Sequence, residues 1–96
     1  MIMSIELVIR YHKTRWEGSH VKLSHGEKYR QIGLKIAYYR KLRGLTQEEL
    51  AEKVDRTPAY IGHLEAPNIL KAVSLDTLFD IADVLEIPPY KFFLFE

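Results

Sequence analysis

From residue 27 onward the apolar residues recur at helical spacing, and the breaks between runs fall at glycine, proline and capping residues. Ile32, Ile36 and Tyr39 repeat at intervals of four and three within a first helix predicted over residues 27–43, and Gly44 supplies a left-handed stop. Lys41 and Arg43 sit in its last turn, where the helix dipole favours cations. Thr46 is a good N-cap for a second helix, and Glu49 three residues later completes a capping box. Asp55-Arg56 leaves room only for a very short turn before Thr57, which caps a third helix with Pro58 at its first position, where a missing N–H costs nothing. That helix runs to Glu65 and ends at Ala66-Pro67. After a loop over 68–73, Ser74 caps a fourth helix whose apolar stripe is Leu75, Leu78, Ile81, Ala82 and Leu85. Pro88-Pro89 breaks it and opens a short fifth helix, in which Tyr90, Phe92, Phe93, Leu94 and Phe95 suit closure of the core or a dimer patch.

Residues 1–26 differ in character and form an N-terminal extension set off by Gly18-Ser19 and Ser24-His25-Gly26. Ile5, Leu7, Ile9 and Tyr11 alternate with Glu6, Val8, Arg10 and His12, which suits a β-strand with one apolar face. Ile5, Val8, Ile9, His12 and Trp16 fit one face of a helix as well. A strand here needs a partner, either in a hairpin with Val21–Leu23 or on a second subunit, and a disordered leader is the remaining option.

Length and composition narrow the function classes. Ninety-six residues make one domain with one modest core. The chain has no cysteine, which removes disulfides, thiol catalysis and cysteine-ligated zinc together and fits a reducing cytosol. No apolar run approaches the roughly 20 residues of a membrane helix, and no basic flank precedes the first apolar residues as it would in a secretory signal. Net charge is +1, but it is sorted along the chain. Residues 1–43 hold ten Lys/Arg against three acids, and residues 44–96 hold four against ten. Such sorting hints at a polyanion facing the basic part, although a solvated helix face reads the same way.

The most informative unit is the second helix, its minimal turn and the third helix. Two short helices joined so tightly must cross steeply. Ala51 is small where the two would meet, and Val54, Ile61 and Leu64 point inward. The stretch from Arg40 to Val54, the stretch from Thr57 to Glu65 and the stretch from Ser74 to Pro88 resemble, in order, the phage-repressor-like (Cro/Xre) helix-turn-helix family. The likeness covers about residues 30–93 and leaves residues 1–26 unaddressed.

The resemblance implies an all-α, compact five-helix lambda-repressor-like DNA-binding domain over residues 27–96. It implies a third helix lying in the major groove and a second helix bracing the backbone of double-stranded DNA. Gln47 would hydrogen-bond a phosphate through side chain and backbone. Thr57 would cap the third helix and touch the DNA backbone. Ala59, Tyr60 and His63 fall where base-facing side chains lie, and Arg56 and Lys71 are phosphate candidates. Arg40 and Glu65 match a structural ion pair. Two departures from the family pattern stand out. Asp55 replaces a common glycine in the turn, and Asp tolerates the left-handed region. Gly62 replaces a common serine, which weakens the third helix but permits close approach to the second helix or to DNA.

The third helix lacks Gln, Asn and Arg, the usual bidentate readers of bases. Ala59 offers only apolar contact, Tyr60 and His63 one or two hydrogen bonds each, so direct readout is sparse and DNA shape carries more of the recognition. The expectation is a cytoplasmic transcriptional regulator, dimeric on a (pseudo)palindromic site. The alternative is a protein-interaction module or antitoxin-like partner that keeps the fold. His12, His20, His25 and His63 show no metal-ligand spacing, and no nucleophile or glycine-rich phosphate motif is present, so neither an enzyme, a metal nor a cofactor is expected.

Overall fold

A computed structural model of the protein describes residues 23–95. The strand-or-helix segment 5–12, Trp16 and the glycine-serine break at 18–19 lie outside the described residues. Within them a 3-10 turn, Leu23–His25, leads into α1, Gly26–Leu42. Then come α2, Gln47–Lys53, α3, Pro58–Glu65, and α4, Leu75–Leu85, and the chain closes with a 3-10 helix, Pro89–Phe93. Among the described residues there are four α-helices and no strand. The expected fifth α-helix is therefore a single 3-10 element. Its five residues start on proline, and its bond runs from Lys91 N–H to the Pro88 carbonyl at 3.1 Å, three residues back.

The helix starts are local and follow the sequence. Thr46, Thr57 and Ser74 each accept the backbone N–H three residues on, from Glu49, Tyr60 and Thr77. Three of the four helix stops share one geometry, and α3 instead ends at Ala66 in an extended conformation. Behind α1, Leu45 N–H reaches the Arg40 carbonyl at 3.1 Å and Gly44 N–H the Lys41 carbonyl at 2.9 Å. The same pair of bonds recurs behind α2, from Arg56 to Ala51 and Asp55 to Glu52, and behind α4, from Ile87 to Ala82 and Glu86 to Asp83. Each of these Schellman closures needs one left-handed residue, and these are Gly44 (φ 72°), Asp55 (φ 57°) and Glu86 (φ 58°). Only the first is a glycine; Glu86 has no local sequence signature.

The core is a single cluster with members from all four α-helices: Ile32, Ile36, Leu50, Ala51, Val54, Ile61, Leu64, Leu78, Ile81, Ala82 and Leu85, plugged by Phe92. Phe92 meets Tyr39 edge to face with ring centroids 6.4 Å apart. Leu75 does not join this cluster; it is 57% exposed, because as the first residue of α4 it projects past the end of the packed layer. The tail divides in the same way. Phe92 is buried, whereas Tyr90, Phe93, Leu94 and Phe95 are exposed, so only one of the five expected tail residues closes the core.

Among the described glycines, the one that meets another element's backbone is Gly33, where α1 crosses α3. A Cβ built there would overlap the carbonyl oxygen of Leu64 and lie 3.0 Å from its carbonyl carbon. Gly62, by contrast, has only the Gln47 side-chain oxygen within reach, at an ordinary 3.5 Å from a built Cβ. Within the domain the close approach that a glycine permits is thus at Gly33, and Gly62 is not needed for the packing of α3 on α2. Gly62→Ala should accordingly raise stability, by up to about 1 kcal/mol from helix propensity. A thermal melt of that variant that moves downward instead would mean the position is more crowded than its geometry indicates.

Candidate nucleic-acid interface

The α2–turn–α3 unit is fixed by bonds at every joint. At the head of α2, Glu49 N–H donates to Thr46 Oγ1 at 3.0 Å and Thr46 N–H donates to Glu49 Oε1 at 2.8 Å. The second of these holds the Glu49 carboxyl below its usual pKa, because the backbone donor prefers the ionised form. At the turn, Arg56 N–H returns to the Ala51 carbonyl at 2.8 Å while Asp55 takes the left-handed conformation. Ala51 is fully buried, and its small side chain lets α3 cross close over α2.

α3 turns Ile61, Leu64 and Glu65 inward and leaves Pro58, Ala59 and His63 exposed. Ala59 and His63 are four residues apart and share the outward face. Thr57 is exposed beside them, with its hydroxyl oxygen engaged by Tyr60 N–H at 3.1 Å.

Behind this face lies a buried charge cluster. Arg40 Nε and Nη2 donate to the two oxygens of Glu65 at 2.7 and 2.8 Å, and Arg40 Nη1 donates to the Leu45 carbonyl at 2.7 Å. The two residues are only 7% and 8% exposed. The hydrogen bonds it donates to Glu65, opposed by desolvation, hold the Arg40 guanidinium above its usual pKa. Gln47 joins the same carboxylate, its Nε2 donating to Glu65 Oε1 at 2.9 Å. The structure therefore places the Gln47 amide as a strut between the head of α2 and the end of α3, with one N–H already committed.

Three other site residues, separated in sequence, meet at one ring. The Arg56 guanidinium carbon lies 4.5 Å from the centroid of Tyr60, and the Lys71 ammonium lies 5.4 Å from the same centroid. Arg56 Nη2 also donates to Thr77 Oγ1 at 2.8 Å, which ties the turn to the start of α4. Tyr60 is half-buried, and His63 stands apart from this group on the outward face.

Two residues with positioning roles have no sequence signal that singles them out. Thr77 anchors Arg56, and its hydroxyl accepts from Ser74 Oγ at 3.1 Å as well. Arg43 donates from Nε to the Leu85 carbonyl at 2.6 Å and from Nη2 to the Glu86 carbonyl at 3.1 Å, so the end of α1 caps the end of α4. Among the described residues no three His, Asp or Glu side chains are grouped as a metal site. No helix among them is long and apolar enough to cross a membrane.

Comparison with known families decides what this scaffold is. The helix-turn-helix family model matches residues 36–92, from the middle of α1 to the buried Phe92. The chain belongs to the Cro/C1-type helix-turn-helix family. At the level of the family it is a DNA-binding transcription regulator. The helix-turn-helix family is one of DNA-binding domains that are generally non-enzymatic. No curated protein matches the sequence.

Proposed function

We propose that this helix-turn-helix protein binds a (pseudo)palindromic duplex as a homodimer in the cytoplasm and regulates transcription from it, with α3 in the major groove. The supporting observation is the outward face of α3. Its start is capped by Thr57, and it carries Ala59 in the first turn and His63 in the last, both exposed, while Arg56 and Lys71 flank it on two different loops. Ala59 contacts a thymine methyl and His63 hydrogen-bonds a base edge. Arg56, Lys71, Thr57 and the remaining amide N–H of Gln47 take backbone phosphates. With so few base-reading groups, groove shape supplies the rest of the discrimination. The second copy docks through the exposed Phe93, Leu94 and Phe95, of which Phe93 and Phe95 line one depression with Leu75.

Binding selection over random duplexes tests this reading. Wild type should enrich one motif with two half-sites about one helical turn apart. His63→Ala should change the preferred base within each half-site, at a cost of about 1–3 kcal/mol on the original site. Lys71→Ala should weaken all duplexes alike and lower the salt dependence by about one contact. Enrichment of no motif by wild type would reject the regulator reading.

One observation favours a second reading, a protein-interaction module or antitoxin-like partner. Leu34, Tyr38 and Leu42 form an exposed stripe at four-residue spacing on α1, which is a partner-like surface. A salt titration separates the two, since a phosphate-contacting protein loses affinity steeply as salt rises.

A further inference from the structure

Tyr60 falls among the base-facing positions by its place in the helix, but its surroundings are those of a different part. Successive helical residues are turned about 100° from one another. Ala59 and His63 define the outward line, and Tyr60 is turned off it toward the side where the α2–α3 turn and the α3–α4 loop return. Its ring is half-buried and carries two cations, one from each of those loops. From their distances to the shared centroid, the two charges are no more than about 10 Å apart, against a Debye length of about 8 Å at physiological salt. The negative face of the ring attracts both and offsets the part of their repulsion that salt leaves unscreened. Arg56 is further pinned by Thr77, so its guanidinium is ordered before any ligand arrives.

We infer that Tyr60 is a positioning residue: its ring gathers Arg56 and Lys71 into one preorganised clamp for the phosphodiester backbone of duplex DNA, and its hydroxyl reads no base. This rests on the DNA-binding reading above and deepens it. Two cations held at one ring lose less side-chain freedom on binding than two free ones, and an arriving phosphate relieves their mutual repulsion. The clamp sits at the edge of α3, where it fixes the register of the helix in the groove and leaves specificity to Ala59, His63 and the shape of the duplex.

The test measures affinity by fluorescence anisotropy for the duplex selected by wild type and for an unrelated duplex, each over a salt series. Tyr60→Phe keeps the ring and should retain affinity, salt slope and the ratio between the two duplexes. Tyr60→Leu removes the ring and should weaken both duplexes alike, by about tenfold for the loss of two cation–π contacts. Its salt slope should fall by about one, since one phosphate contact contributes about 0.9. A purely structural role would shift the melting temperature and leave the slope alone. In wild type, which needs no variant to fold, the side-chain methylene protons of Arg56 and Lys71 should show upfield ring-current shifts that persist as duplex is added. A changed duplex ratio in Tyr60→Phe, an unchanged slope in Tyr60→Leu, or loss of the ring-current shifts on binding overturns the clamp. Wild type that binds duplex with no salt dependence overturns the DNA-binding reading as well.

Discussion

Glu65→Ala will destabilise the domain by about 3–5 kcal/mol, because it strands a buried guanidinium without its counter-ion. Both side chains are buried, with 8% and 5% of their surface exposed, so little solvent screening reduces the effect. The variant loses two hydrogen bonds from Arg40 and one from Gln47 in a single step. For a domain of this size each kcal/mol lowers the melting temperature by about 4–8 °C, so circular dichroism should record a fall of more than about 12 °C. Replacing both partners, as Arg40→Met with Glu65→Leu, should cost much less, since no charge is left buried. Equal melting temperatures for the single and double variants would show that the shape of the site, and not the uncompensated charge, sets the stability.

Gly33→Ala should be the second large effect, and its sign runs against helix propensity. In the interior of an exposed helix the change stabilises by up to about 1 kcal/mol. Here the new methyl group meets the main chain of Leu64, which has no rotamer to yield, so α1 and α3 must separate. Overpacking of this kind costs about 1–3 kcal/mol and occasionally more, and contact with backbone puts Gly33→Ala at the upper end. The two alanine substitutions, at positions 33 and 62, should therefore move the melting temperature in opposite directions. A pair that moves together would contradict the α1–α3 geometry.

The same two glycines mark where sequence reasoning stops. Capping residues act on N–H groups within four residues, so Thr46, Thr57 and Ser74 declared their helices without any tertiary information, and Gly44 and Asp55 declared their stops. Close approach between helices depends on crossing geometry, which no local pattern encodes. Gly62 drew attention because it sits in the recognition segment, while Gly33, inside an ordinary amphipathic run, makes the contact. Leu75 and the tail show the same limit from the other side. Periodicity identifies which residues share a face, but not where that face runs out of neighbours. At the interface, the resemblance to a known family supplied the residues, and only coordinates joined Arg56 and Lys71 to Tyr60, because the three are brought together by two loops and a bond to Thr77.

The carboxylate of Glu65 answers to Arg40 on one side and to Gln47 on the other. On the proposed binding mode, in which Gln47 takes a phosphate, heat tolerance and DNA affinity draw on the same carboxylate, Arg40 through both oxygens and Gln47 through Oε1. A lineage that drifts at position 40, 47 or 65 alters both traits at once, and selection on either drags the other along. Positions 59 and 63 are exposed and take no part in that carboxylate's bonds, so on the same proposal a change of target at those two positions would leave folding intact.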